Sequence, residues 1–258
     1  MNGVAVIDRV TIDCIFSGMA GFPGAGEELY TDRFSMTLGG GACVTPVRLG
    51  NMGVPVRYGT FLGQGLLSKT AETLLQKYKV QNLHNFYDGD GEPVIFSSVF
   101  SFPSDRSIMT FDAGLGENLL TDAQVYDFLH GADVCFAPRR PDVVKKLARE
   151  GTKIVYDTHW EEGQTLEDHL PILRLADFFT PNDKEAMLLT GTDSPQAALD
   201  ALCNYTAQPI VKVGKDGCSV AECIQLANIA GGKSTETFGC YDAPYDLRTE
   251  LKELRREG

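Results

Sequence analysis

Three consecutive glycines, Gly39, Gly40 and Gly41, interrupt the run Met36-Thr37-Leu38-Gly39-Gly40-Gly41-Ala42-Cys43-Val44-Thr45-Pro46. They follow a β-like segment and precede an expected helix start. Glycine has no Cβ, so it permits positive φ and lets a ligand lie against bare backbone. A helix opening directly after it aims unpaired N–H groups at that ligand. A flexible loop is the plain alternative. Asp13 falls in the second β-like segment. An ionised carboxylate is acceptor-only and matches the hydroxyl donors of a polyol, although an ordinary turn aspartate reads the same way. Arg106, at a turn between two expected strands, can reach over a bound anion or simply face solvent. Asn182 is placed to cap a helix, and Glu185 three residues on completes a capping box or points toward a hydrated magnesium ion. The segment Val211-Lys212-Val213-Gly214-Lys215-Asp216-Gly217 runs a strand into Gly-x-x-Gly, either a short turn or a backbone surface for a nucleotide.

These residues need a framework, and 258 residues are enough for one large domain with a small appendage. A hydrophobic share of 43% with 22% charged residues is ordinary for a globular protein. The formal net charge of −12 argues against a nucleic-acid surface, which needs clustered Lys and Arg. It leaves room for a phosphorylated small molecule in one local pocket. No apolar run approaches the ~20 residues of a membrane span, and the N-terminal residues read as a strand, not a signal peptide. Seven scattered cysteines fit reduced, buried thiols in a cytoplasmic protein better than a disulfide framework or a zinc site.

Hydrophobic periodicity supplies the elements. Residues 4–7, 11–16 and 28–36 read as strands, 43–52 as a helix, 54–61 as a strand and 68–79 as an amphipathic helix. Residues 94–102 and 107–111 read as two strands joined by a polar turn. From residue 121 helices alternate with short strands: helices at 122–129, 141–150, 166–175, 184–190 and 195–203, strands at 134–137, 153–156, 178–180 and 209–213. That alternation implies a parallel sheet with helices on both faces, where ligands lie beyond the carboxyl ends of the strands. Asp157 ends one such strand. A dinucleotide-dependent oxidoreductase would need Gly-x-Gly-x-x-Gly after the first strand, and the sequence has none.

Taken in order, the blocks resemble the ribokinase-like (PfkB) carbohydrate kinases along almost the whole chain. The matching blocks are the opening strands with Asp13, Gly39-Gly40-Gly41-Ala42, and Leu49-Gly50-Asn51-Met52-Gly53 with Gly59 and Gly63. Asp105-Arg106-Ser107, Asn182-Asp183-Lys184-Glu185 and Val213-Gly214-Lys215-Asp216-Gly217 complete the set. The resemblance implies a single Rossmann-like α/β domain over residues 1–258, with a mostly parallel central sheet and helices on both faces. A small β-sheet lid from residues 14–36 and 92–111 is inserted in it. It implies phosphoryl transfer from ATP, with Mg2+, to a hydroxyl of a sugar or related alcohol. By this resemblance Asp13, Gly39, Gly40, Gly41 and Arg106 face the substrate. Asn182, Lys212, Gly214 and Gly217 approach the nucleotide, and Glu185 serves the metal. Phe16, Phe34, Phe96 and Phe100 on one lid face suggest a homodimer through the lid; no nucleic-acid or membrane partner is expected.

Four departures from the family pattern stand out. Val44 occupies the usual place of a substrate-holding asparagine, Gln64-Gly65 that of an acidic loop residue, and Asp8-Arg9 that of an opening Gly-Asp. The family's Gly-Ala-Gly-Asp segment does not follow Cys240-Tyr241-Asp242-Ala243-Pro244. That segment supplies a helix N-terminus for phosphoryl charge and the aspartate that takes the hydroxyl proton. These are worth about 10²–10³-fold and about 10²–10⁴-fold in rate. No other residue is assigned as catalytic, Asp242 and Asp246 included. The expectation is a sugar kinase with negligible activity; the alternative is a noncatalytic sugar- or nucleotide-binding protein or a truncated remnant. Leu247, Leu251 and Leu254 predict a short amphipathic helix in the tail.

Overall fold

β1 (Val4–Ile7) consists of four buried apolar residues, as a strand covered on both faces requires. The computed structural model describes residues 2–78, 80, 82–103, 106–158, 163–214 and 217–219. The expected tail helix, Cys223 and Cys240 lie outside the described residues. Contacts divide the chain into two units, one comprising the residues through Ala5 and those from Thr121 on, the other Val6–Leu120.

In the Val6–Leu120 unit, β2 (Thr11–Ser17) and β3 (Arg33–Gly39) lead into α1 (Gly41–Asn51), followed by β4 (Val56–Thr60), α2 (Leu66–Lys77), β5 (Leu83–Asn85), β6 (Ile95–Ser101) and β7 (Arg106–Phe111). Four of these strands form a separate small sheet in the order β3-β2-β6-β7. Its β2–β3 and β6–β7 pairs are antiparallel and its β2–β6 pair is parallel. Register sorts its two faces. Asp13 lies in a row with Thr37, Ser97 and Thr110. The adjacent rows, Ile12 with Leu38, Phe96 and Phe111, and Cys14 with Met36, Ser98 and Met109, alternate to the opposite face. The sheet begins at Thr11, ahead of the lid start expected at residue 14, so Asp13 is a strand residue of the sheet itself. Residues 28–32, expected as strand, are not one. β3 starts only where β2 supplies partners, from Ser17 opposite Arg33 to Thr11 opposite Gly39.

In the other unit run α3 (Asp122–Leu129), β8 (Val134–Phe136), α4 (Pro141–Arg149), β9 (Lys153–Tyr156), α5 (Leu166–Leu173), β10 (Phe178–Phe179), α6 (Asp183–Thr190), α7 (Pro195–Leu202), β11 (Gln208–Pro209), β12 (Val211–Lys212) and β13 (Cys218–Ser219). Local chemistry marks the helix ends. Thr121 and Gln124 form a capping box on α3, Pro141 opens α4, and Gly191 closes α6 with φ 65°. α4 buries Val143, Val144 and Leu147 along one stripe.

The main sheet has seven strands in the order β11-β10-β9-β8-β1-β4-β5. It is parallel, as the pairings β1–β8, β8–β9, β9–β10, β10–β11 and β4–β5 record. This is the arrangement that the resemblance implies: a parallel α/β body and a separate small mixed sheet. The exposed strand β5 carries no alternation that the sequence could reveal. The single strand expected at 209–213 is divided at Ile210, and β12 turns back antiparallel on β13. Cys14, Cys43 and Cys135 are buried free thiols as expected, whereas Cys203 is exposed.

α2 begins at Gly65, which has no side chain to cap it. Glu92 takes over that task. Its carboxylate accepts the Ser68 backbone N–H at 3.3 Å and the Ser68 hydroxyl. A Cβ on Gly65 would stand 2.1 Å from Glu92 Oε2, so the missing loop side chain is what admits the glutamate.

Asp8, at the end of β1, is half-buried, and its carboxylate accepts the Arg9 backbone N–H at 2.7 Å. Arg9 forms a two-pronged ion pair with Asp112, its Nη2 donating to Oδ2 at 2.8 Å. Burial pushes the Asp8 carboxyl up to about 6; the Arg9 N–H and charge pull it down, and Glu117 pushes it up. Folding therefore favours protonated Asp8, a contribution lost as pH rises through about 6. Asp8→Asn is expected to stabilise the protein at pH 8 by about 1–3 kcal/mol and by much less at pH 4. Denaturant midpoints measured at both pH values check this.

Candidate functional site

The cross-strand pairing of β2 with β3 sets Thr11 opposite Gly39 and Asp13 opposite Thr37, so Asp13 and Gly39 are diagonal neighbours on one face. The Asp13 carboxylate leans over the glycine. A Cβ on Gly39 would lie 2.1 Å from Asp13 Oδ2 and 2.3 Å from its Cγ. Any side chain there would displace the carboxylate. Gly40 has φ 79°, and a Cβ on it would stand 2.8 Å from Thr11 Oγ1. Gly41 is the first residue of α1, whose N-terminus no side chain caps. An acceptor-only carboxylate thus sits beside bare backbone at a helix N-terminus, a combination that receives a hydroxyl from both sides.

Burial raises the Asp13 carboxyl above its ordinary value; the charge of Arg106 and the Ser97 hydroxyl offset only part of that rise. Arg106 opens β7 opposite Ser101 and is exposed. The structure therefore assembles Asp13, Gly39, Gly40 and Gly41, with Arg106 acting through its charge. Val44 is half-buried in α1 and brings no polar atom from its side chain. Sequence reasoning missed Thr11, Ser97 and Thr110. The period-two spacing of Thr11 and Asp13 along β2 was the available signal.

In the unit from Thr121 on, Asn182 and Glu185 form a reciprocal capping box. Asn182 Oδ1 accepts the Glu185 N–H at 2.8 Å, and Glu185 Oε2 accepts the Asn182 N–H at 2.9 Å. Glu185 is buried, with 5% exposure. Asn182 also forms a parallel bridge with Lys212, whose backbone N–H donates to Pro181 O at 2.9 Å. The Lys212 ammonium donates to Asp157 Oδ2 at 3.0 Å and Oδ1 at 3.3 Å. Burial pushes the Asp157 carboxyl up to about 6; Lys212 pulls it down, and the Glu185 charge pushes it up. Asp157 was legible only as the residue ending a strand; its pairing with Lys212 was not.

Two carboxylates that repel each other in a partly buried setting suit a hydrated magnesium ion, which binds through one or two carboxylates plus phosphates and waters. Among the described residues no three His, Cys, Asp or Glu side chains cluster as a metal site. Gly214 and Gly217 both take positive φ (62° and 89°), and Gly217 N donates to Gly214 O at 3.1 Å. A Cβ on Gly214 would meet nothing within 4 Å, so the backbone there has open space beside it. A separate cavity of about 310 Å³ is lined by Arg139, Tyr156, Gln164 and His169 among others, and by none of the residues singled out in the sequence.

The sequence profile described as pfkB family carbohydrate kinase matches residues 1–243. The chain belongs to the pfkB family. Solved structures agree in fold. The Arabidopsis thaliana ribokinase complexed with ribose and ATP superimposes with a TM-score of 0.75 at 14% identity, covering 98% of each chain. Giardia lamblia ribokinase gives 0.75 at 13% identity over 100% of both chains. The Methanocaldococcus jannaschii nucleoside kinase gives 0.69 at 17% identity over 99% of both. No curated protein sequence matches this pfkB member. None of its described helices is long and apolar enough to cross a membrane.

The Asp13–Gly39 contact makes a sharp prediction. Gly39→Ala is expected to destabilise the protein by about 1–3 kcal/mol in urea unfolding. Gly50→Ala, in a helix where a Cβ meets nothing within 4 Å, is expected to stabilise it by about 0.5–1 kcal/mol. Equal effects would show that Gly39 is not set by the carboxylate.

Proposed function

We propose that this chain binds a sugar, or a related polyhydroxylated alcohol, and MgATP, the two ligands of phosphoryl transfer from ATP to an alcohol. The observation that carries the reading is the Asp13 carboxylate lying on bare Gly39 beside the uncapped start of α1. Asp13 accepts hydrogen bonds from the sugar hydroxyls, the Gly39–Gly41 backbone lets the ring approach, and Arg106 attracts negative charge toward that face. In the other unit, Lys212 and the Gly214–Gly217 turn receive phosphate and nucleotide. Asn182 fixes Glu185, which with Asp157 holds the hydrated metal. MgATP, when bound, supplies the transferable phosphoryl group and neutralises charge on it. Specificity for the sugar is loose, because Val44 offers no polar contact.

Turnover is a separate matter from binding. The sequence contains no Gly-Ala-Gly-Asp segment, so the 258-residue chain is expected to turn over far below the roughly 1–100 s⁻¹ usual for kinases. Isothermal titration with D-ribose and with MgATP, beside a coupled ADP-release assay, separates the two. Asp13→Ala is expected to abolish the sugar heat without unfolding the protein, and Glu185→Gln to weaken only the Mg2+-dependent part of ATP binding. Sugar heat unchanged in Asp13→Ala would remove Asp13 from this role, and turnover at ordinary kinase rates would show that another residue serves as base.

The same reading includes a homodimer through the small sheet. Phe34, Met36, Met109 and Phe111 lie on the face opposite Asp13 and are 53%, 42%, 72% and 54% exposed. An apolar surface of that kind is costly in water unless covered. Light scattering is expected to report a dimer for the wild type and a monomer for Met109→Asp.

A further inference from the structure

The row containing Asp13 holds three hydroxyl residues, one from each other strand of the small sheet: Thr37 on β3, Ser97 on β6 and Thr110 on β7. Thr37 is turned to Tyr78, its Oγ1 3.4 Å from the phenol oxygen. Ser97 is 5% exposed and stands directly beside Asp13 across the β2–β6 pairing, where its hydroxyl acts to lower the Asp13 carboxyl. On its other side, Ser97 Oγ lies 3.0 Å from Thr110 Oγ1.

The proton direction along this row follows from valence. A carboxylate cannot donate, so Ser97 spends its one hydroxyl hydrogen on Asp13. Ser97 can then only accept at its contact with Thr110, and Thr110 is the donor there. We infer that Ser97 and Thr110 are positioning residues for Asp13, forming a directed chain from Thr110 O–H to Ser97 Oγ and from Ser97 O–H to the carboxylate. Together they favour its ionised form against burial and keep it turned onto Gly39. The inference rests on the sugar-binding reading of Asp13 and deepens it. The lone pairs left on the carboxylate accept only, so the site selects a ligand presenting hydroxyl donors, such as a vicinal diol, over one presenting carbonyl or carboxylate oxygens. Each bond in such a chain polarises the next, so loss of the outer one weakens the inner. The charge acting on the carboxylate is that of Arg106, on the same face of β7 as Thr110.

The experiment is a carboxyl-carbon NMR titration of Asp13, its resonance assigned by its loss in Asp13→Asn, in the wild type and in Ser97→Ala, Ser97→Thr and Thr110→Val. The Asp13 midpoint is expected to move upward in Ser97→Ala, to move upward by less in Thr110→Val, and to stay at the wild-type position in Ser97→Thr, which keeps the hydroxyl. Titration with D-ribose is expected to show about tenfold weaker binding in Ser97→Ala, the loss of one hydrogen bond to a charged group. Binding is expected to be restored in Ser97→Thr. A midpoint unchanged in both Ser97→Ala and Thr110→Val, in proteins with wild-type thermal unfolding, would overturn the chain. A wild type that binds no sugar while the midpoints move as described would support the chain and retire the kinase reading instead.

Discussion

A carboxylate resting on a residue without a side chain is the constraint around which the Val6–Leu120 unit is arranged. Diagonal neighbours on an antiparallel pair normally keep their Cβ atoms well apart. Here one partner has none, and Asp13 occupies the space. The consequences run in both directions along the chain. Gly39 must close β3 in register with Thr11, Gly40 must take positive φ to turn the backbone, and α1 must open at Gly41 with no side chain over its first turn. A tight glycine turn explains the bend, but only the aspartate explains why the last strand residue is also glycine.

The other unit solves a different problem, that of holding acidic side chains in place while partly buried. Asn182 and Glu185 satisfy each other's backbone, so their pairing by itself is ordinary helix capping. The contribution beyond capping comes from Asp157 and Lys212, brought together at the carboxyl ends of β9 and β12 across 55 residues of sequence. Lys212 is anchored through its backbone to Pro181 and through its ammonium to Asp157. Its charge is therefore held in place and is no longer a mobile surface cation. The position of Asp157 near 6 reflects burial outweighing that cation.

Most of this was legible wherever composition and geometry coincide. β1, α3 and β9 fall where periodicity puts them, because β1 and β9 are short, mostly apolar runs and α3 opens on a local capping box. The capping box at Asn182 and the glycine loop are local chemistry, readable from residues a few positions apart. What remained hidden depends on register or on distant pairing. Ser97 and Thr110 matter only because β6 and β7 align with β2, and no local pattern announces that alignment. β5 is exposed and polar enough to resemble a loop, while the end of β3 was set by its partner strand and not by its own alternation.

The cap on α2 ties two distant positions into one heritable unit. Gly65 leaves a gap at the helix start, and Glu92, 27 positions later, fills it with the negative charge that the helix N-terminus favours. Neither residue makes sense without the other. An aspartate placed at position 65 would force two carboxylates onto one helix end, and a neutral residue at 92 would leave that end bare. Changing either position alone therefore leaves this helix end either crowded or uncapped. What either residue contributes is conditional on the other, and the effects of substituting both are expected to be non-additive.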